Sequence, residues 1–184
     1  LARDWQKLTS PQAQIKALRG LFIAQLMLGQ KERELTALLE IIITKAKELL
    51  HPDWGVRSRS PEAHLELLRH LIEVKQASLL LDSPPFEELD KMIIHMANLC
   101  KLWRHNNGQF AHFQGGGESQ SGQIDEVLKR AGAKGKITPQ APHTGFLRLT
   151  ASRNTIIMDA GTPTKEARFG AASTLAFEFS VGQS

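Results

Sequence analysis

The stretch Trp103-Arg-His-Asn-Asn-Gly-Gln-Phe-Ala-His-Phe-Gln-Gly-Gly-Gly117 holds the side chains best suited to chemistry. It gathers two His, two Asn, two Gln and one Arg ahead of three consecutive glycines. Arg can fix an anion through its forked N–H groups. His can carry a proton at near-neutral pH, and primary amides can donate hydrogen bonds to a charged oxygen. The alternative is a solvated polar connection between two architectures, with Asn107-Gly108 as an ordinary turn dipeptide. The stretch lies where the hydrophobic period changes, and such seams are where clefts form. The triple glycine is not a phosphate loop: it follows no predicted strand and lacks the Lys-Ser/Thr pair that holds a nucleotide.

The elements that must position these groups are legible upstream. Ser10-Pro11 starts a helix, with Ser as N-cap and Pro in the first turn. Ile15, Leu18, Phe22 and Leu26 then repeat at helical spacing up to Gly29. A second helix is predicted over residues 31–50, with Leu35, Leu38, Leu39, Ile42, Ile43, Ala46 and Leu50 on one face. His51-Pro52 ends it, because a residue before proline avoids the helical region. Ser60-Pro61 starts a third helix, running to about Leu80, and Ser83-Pro84-Pro85 a fourth, whose buried face runs from Leu89 to Trp103. Residues 10–21 and 60–71 agree at six of twelve positions, an offset of 50 residues. Repetition at that period marks stacked helical hairpins, as in solenoids and closed α/α toroids.

Downstream, residues 121–131 predict a short helix and residues 133–142 a loop. Period-two segments follow at 145–150, 154–159 and 174–181, with Ala151-Ser-Arg153 as a hairpin turn. Leu175, Phe177, Phe179 and Val181 share one face of the last strand. Three strands with an open edge make a poor sheet on their own. The exposed repeat faces of the hairpins point the same way, so the chain is expected to be part of a larger protein and to self-associate when isolated.

Composition sets limits on function. The 184 residues carry a net charge of +4, with 41% hydrophobic and 23% charged residues. That suits a globular protein. The Lys and Arg are too dispersed for a nucleic-acid surface. No apolar run is long enough for a membrane span. Cys100 is the sole cysteine and falls on an apolar helix face, which excludes a disulfide framework. His64, His70 and His95 lie inside helices without paired ligand spacing, so neither a metal nor another cofactor is expected.

The order of helical hairpins, polar seam, Ala-Pro-His-Thr-Gly-Phe-Leu-Arg-Leu149 and Ile-Ile-Met-Asp-Ala-Gly161 resembles the bacterial heparinase II/III-like proteins, from about His51 onward. The resemblance implies an α+β multidomain fold, an α/α toroid leading into an antiparallel β-sandwich. Residues 1–104 would be the partial toroid, 105–142 the polar seam, short helix and linker, and 143–184 the start of the sandwich. It also implies a polysaccharide lyase acting on uronic-acid-containing chains of the heparin and heparan sulfate kind, in the periplasm or the cytoplasm. Such an enzyme removes the C5 proton of the uronate and expels the C4 oxygen, while hydrogen-bond donors neutralise the carboxylate.

Carried onto this sequence, His105 and His143 are the candidate proton carriers. Asn107, Asn106 and Gln109 are candidates for neutralising the carboxylate, and Arg57, Arg59 and Arg104 for binding sulfate or carboxylate. Arg104, His105, Asn107 and His143 are expected to face one cleft. The sequence departs from the family pattern at Val56, near an expected His, and at Phe146, where Tyr is usual; it has no Tyr anywhere. Two other classes therefore stand beside the lyase: a non-catalytic carbohydrate-binding relative and a helical-repeat interaction module.

Overall fold

A computed structural model describes residues 4–82, 87–117, 120–163 and 174–182. Among these residues, five α-helices precede a four-stranded antiparallel sheet. The protein is an α+β chain whose helical part leads into the start of a β-sandwich. It divides into two compact units that interleave in sequence. One comprises residues 1–49 and 67–93, the other residues 50–66 and 94–184.

In the first unit, α1 (Pro11–Met27) and α2 (Glu32–Glu48) are joined by residues 28–31 and pack on each other. Ser10 caps α1 as expected, its hydroxyl accepting from the Ala13 amide. Ser60 does the same for the Ala63 amide at the start of α3 (Pro61–Ser78), so the two copies of the repeat begin with the same cap. Ile15, Leu18, Phe22, Leu39, Ile42, Leu68, Leu71 and Met92 are buried in this unit. Burial of each such side chain contributes about 1.5–3 kcal/mol. The repeat's Arg19 donates to Glu73 at 2.5 Å and to His70 Nδ1 at 3.1 Å. Lys75 pairs with Asp90 at 2.6 Å.

α4 (Glu87–Cys100) ends three residues short of Trp103, which is nonetheless fully buried. Its expected start at Ser83-Pro84-Pro85 lies outside the described residues. α5 (Ser121–Arg130) buries Ile124, Val127 and Leu128, as its spacing predicts.

In the second unit, β2 (Phe146–Ala151) and β3 (Asn154–Asp159) form the expected hairpin around Ser152-Arg153. β4 (Phe177–Val181) pairs with β3 and is shorter than predicted. Leu175 takes a left-handed conformation at φ 68° instead, its amide donating to the Asp159 carbonyl at 2.6 Å. A two-residue β1 (Gln140–Ala141) pairs with β2 inside the predicted loop; two residues are too few to show an alternation. Residues 164–173 of the predicted long loop lie outside the described residues.

One face of the sheet carries Phe146, Arg148, Thr155, Ile157 and Asp159, all buried. Phe146 meets Trp103 edge-on at 5.5 Å and Phe113 at 5.3 Å. The opposite face exposes Leu149, Phe177, Phe179 and Val181, each more than half accessible. It is the face that the β4 alternation singles out. An apolar strip of this kind favours association. The chain should therefore show concentration-dependent self-association by sedimentation velocity, and Phe179→Lys should reduce it with little change in unfolding midpoint.

His64 is fully buried in the second unit, its Nε2–H donating to the Met96 carbonyl at 2.9 Å and its ring edge-on to Trp103. Burial drives its pKa down to about 4 against an ordinary 6.5, despite the raising effects of the Met96 carbonyl and Asp53. The unfolded chain therefore binds this proton more readily than the folded one. The stabilising contribution is complete above about pH 6.5 and is lost as pH falls toward 4, a change of about 3 kcal/mol. Urea midpoints measured between those pH values should show the slope, and His64→Gln should flatten it.

Candidate functional site

The polar seam folds as a miniature hairpin. The His105 amide donates to the Gln109 carbonyl and the Ala111 amide to the Trp103 carbonyl, both at 2.9 Å. Asn107 and Gly108 form its turn: Gly108 sits at φ 84°, and Asn107 Oδ1 accepts from the Gln109 amide at 3.0 Å. Arg104, His105, Asn106, Asn107 and Gln109 are thus brought together on one short loop.

Most of these side chains are held by the protein itself. Arg104 donates from Nε to the Gly108 carbonyl at 2.8 Å and pairs with Asp125 at 2.6 Å. His105 lies between two β4 side chains, with Nε2 2.9 Å from Glu178 Oε2 and Nδ1 3.0 Å from Ser180 Oγ. Glu178 also accepts from the His112 amide at 2.5 Å. Asn106 donates to the Arg153 carbonyl at 2.9 Å, and the Asn107 amide group donates to Gln109 Oε1 at 3.0 Å. Beside Asn106, a cleft of about 610 Å³ is lined by Asn106, Ser152, Arg153 and Gly182.

His143 and Arg59 belong to a second cluster, built around two carboxylates. Asp53 accepts from the His143 amide at 2.8 Å, the Thr144 amide at 2.7 Å and Thr144 Oγ1 at 2.5 Å, with a longer contact from the Gly55 amide. Burial would raise the Asp53 carboxyl pKa, but these donors outweigh it and hold the group below the usual carboxylate range. The approach is close: a Cβ on Gly55 would lie 1.9 Å from Thr144 Oγ1. The His143 side chain is exposed, and Arg57 is exposed in the loop ahead of α3.

Arg59 is 3% accessible. It donates to the Thr144 and Thr162 carbonyls at 2.8 Å and forms an ion pair with the fully buried Asp159. Its guanidinium also lies 5.3 Å from the Phe146 ring centroid. Gln114 Nε2 donates to the other Asp159 oxygen at 3.0 Å, and the Gly161 amide to the first at 3.1 Å. Burial lowers the pKa of Arg59 without bringing an arginine near neutrality. The candidate anion binder is thus committed to oxygens of its own chain. Arg148, on the same sheet face, donates to the Leu102 carbonyl at 3.2 Å and to the Arg104 carbonyl.

Sequence reasoning singled out neither Asp53 nor Asp159. A signal for Asp159 exists: it shares the inward period of β3 with Thr155 and Ile157, and a charge there must be paired. Asp53 has no such signal, because its partners at 143 and 144 are 90 and 91 residues away. Among the described residues, no group of three His, Cys, Asp or Glu is arranged to hold a metal ion. No helix among them is long and apolar enough to cross a membrane.

Comparison with known proteins agrees with this architecture. FtsZ-localized protein C of Caulobacter vibrioides is 27% identical over 127 residues, or 69% of this chain, and the match spans 22% of that protein's length. No solved structure matches the chain. Residues 133–184, which contain the whole sheet, match the model of the heparinase II/III-like C-terminal domain. Over that stretch the chain is similar to the C-terminal domain of heparinase II/III-like proteins.

Proposed function

We propose that the chain serves a protein that recognises acidic, uronate-containing polysaccharide, and that this part recognises the polymer rather than cleaving it. The similarity over residues 133–184 supports the ligand class. The observation that supports recognition over turnover is the state of His105. Both of its ring nitrogens are taken by Glu178 and Ser180, so neither is open to a C5 proton without breaking a bond to β4. The cleft beside Asn106 and Arg153 offers amide, hydroxyl and guanidinium groups to a carboxylate.

The test pairs calorimetric binding of heparosan oligosaccharides with the ultraviolet absorbance of the C4–C5 double bond that elimination would create. Saturable binding without new absorbance is expected, with His105→Ala changing binding less than Arg153→Ala. Turnover that His105→Ala or His143→Ala abolishes would overturn the reading in favour of a lyase using those histidines.

A second reading rests on the similarity to FtsZ-localized protein C. In it, the helical repeat acts as an interaction module for an FtsZ-containing assembly. Co-sedimentation with FtsZ polymers in the absence of sugar would favour it.

A further inference from the structure

Besides the Asp53 hydrogen bonds and the Arg59–Asp159 pair, the loop between α2 and α3 contains a strained aromatic residue. Trp54 adopts a left-handed backbone conformation at φ 69°. A bulky side chain is a genuine outlier there, and such strain persists where the surrounding structure imposes it, often at ligand sites. The surroundings do impose it. The His51 amide donates to the Gly55 carbonyl at 2.7 Å and the Trp54 amide to the His51 carbonyl at 2.9 Å. Asp53, one residue away, is anchored to residues 143 and 144. Glycine or asparagine would satisfy the same turn without strain.

The indole is only partly buried, and its direction is fixed. It stacks on His95 with centroids 4.9 Å apart and planes 7° from parallel. Trp54 and His95 border a cavity of about 250 Å³, whose lining includes Asn98, Lys136, Thr138 and Gln140. The segment that leads to Lys136 is tied to the helix that carries His95 and Asn98. Lys101 Nζ donates to the Ala133 and Gly135 carbonyls at 3.0 and 2.6 Å, and the Gly135 amide donates to Asn98 Oδ1 at 3.1 Å.

A rigid, partly exposed aromatic ring beside amide, hydroxyl and ammonium groups has the chemistry of a pyranose. A sugar ring is apolar on its C–H face and polar around its rim. The C–H face packs on indole, while the hydroxyls meet polar groups at the edge. We propose that Trp54 is the platform of a saccharide-binding site, separate from the seam hairpin, and that a sugar ring stacks on it with its hydroxyls facing Asn98, Gln140 and Lys136. The choice of saccharide as ligand class rests on the polysaccharide reading above; the existence of the platform does not.

The test is calorimetric titration of the 184-residue chain with a heparosan tetrasaccharide and with its carboxyl-reduced, neutral counterpart. Native protein should bind at least one of them saturably. Trp54→Gly removes the ring from a position where glycine is unstrained, so the variant should keep or raise its unfolding midpoint and bind at least tenfold more weakly. Trp54→Phe should retain most of the affinity. Binding by Trp54→Gly equal to that of the native chain, or no binding of either sugar, would overturn the site. Acidic-sugar binding that ignores Trp54 would sink the platform and leave the acidic-polysaccharide reading standing. Binding of the neutral sugar alone, lost in Trp54→Gly, would do the reverse.

Discussion

Asp159→Asn is expected to destabilise the second compact unit by about 3–5 kcal/mol, the usual cost of removing one partner from a buried ion pair. The mutation leaves the Arg59 charge in place, 3% accessible and without its counter-ion. The shape is almost unchanged, so the loss is electrostatic and not a cavity effect. Two further contacts suffer, because Asp159 also accepts from Gln114 and from the Gly161 amide. Arg59 and Gln114 both adopt left-handed backbone conformations, at φ 59° and 54°, and both reach Asp159 from them. The carboxylate therefore holds two strained loops as well as one charge. Denaturant unfolding followed through the fluorescence of Trp103, which packs on Phe146, reads this unit directly. Arg59→Met combined with Asp159→Asn should cost less than the sum of the two single changes, because the double variant buries no unpaired charge. Additive losses would show that the pair is not coupled in this way.

Gly145→Ala is expected to be about as damaging, at about 4 kcal/mol. Gly145 sits at φ 84°, where an L side chain costs about 1–2 kcal/mol. An added Cβ would also lie 2.3 Å from the Gly161 Cα, and overpacking of this kind costs about 1–3 kcal/mol. The obstacle is backbone, so no rotamer change relieves it. The Ala160 amide donates to the Gly145 carbonyl at 2.8 Å, which keeps the two strands from separating there. The same fluorescence melts measure the effect. Gly122→Ala is the control: its Cβ would meet nothing within 4 Å, and it lies inside α5, where alanine is the better helix former. It should leave stability unchanged or raise it.

The two expectations converge on one region. Residues 53–59, 143–146 and 159–162 come from three distant segments, and they meet through Asp53, Thr144, Arg59 and Asp159. The segments that carry the family resemblance are the same ones. Ala-Pro-His-Thr-Gly-Phe supplies Thr144 and Gly145, and Ile-Ile-Met-Asp-Ala-Gly supplies Asp159 and Gly161. In this protein those residues secure the loop that leads into α3 against the sheet, and the loop in turn presents Trp54. A structural lock and a candidate binding platform are therefore built from adjacent positions.

By itself the sequence determined the local elements. Ser-Pro caps, 3.6-residue apolar spacing and the switch to period two are short-range signals, and α1, α2, α3, α5, β2 and β3 form within a few residues of where those signals place them. It also determined that Asn107-Gly108 would turn and that Cys100 would be buried. Only the tertiary structure decided what the polar side chains do. Arg59 reads as a solvent-facing anion binder until Asp159, 100 residues later, claims it. His105 reads as a free base until Glu178 and Ser180 take both of its nitrogens. The face of β4 that alternation marks as apolar proved to be the exposed one, because alternation identifies a face without saying what covers it. The physical reason is range: helix and strand propensities act over a few residues, whereas a buried charge is satisfied by whichever partner the fold brings within hydrogen-bond distance, however far away it lies in the chain.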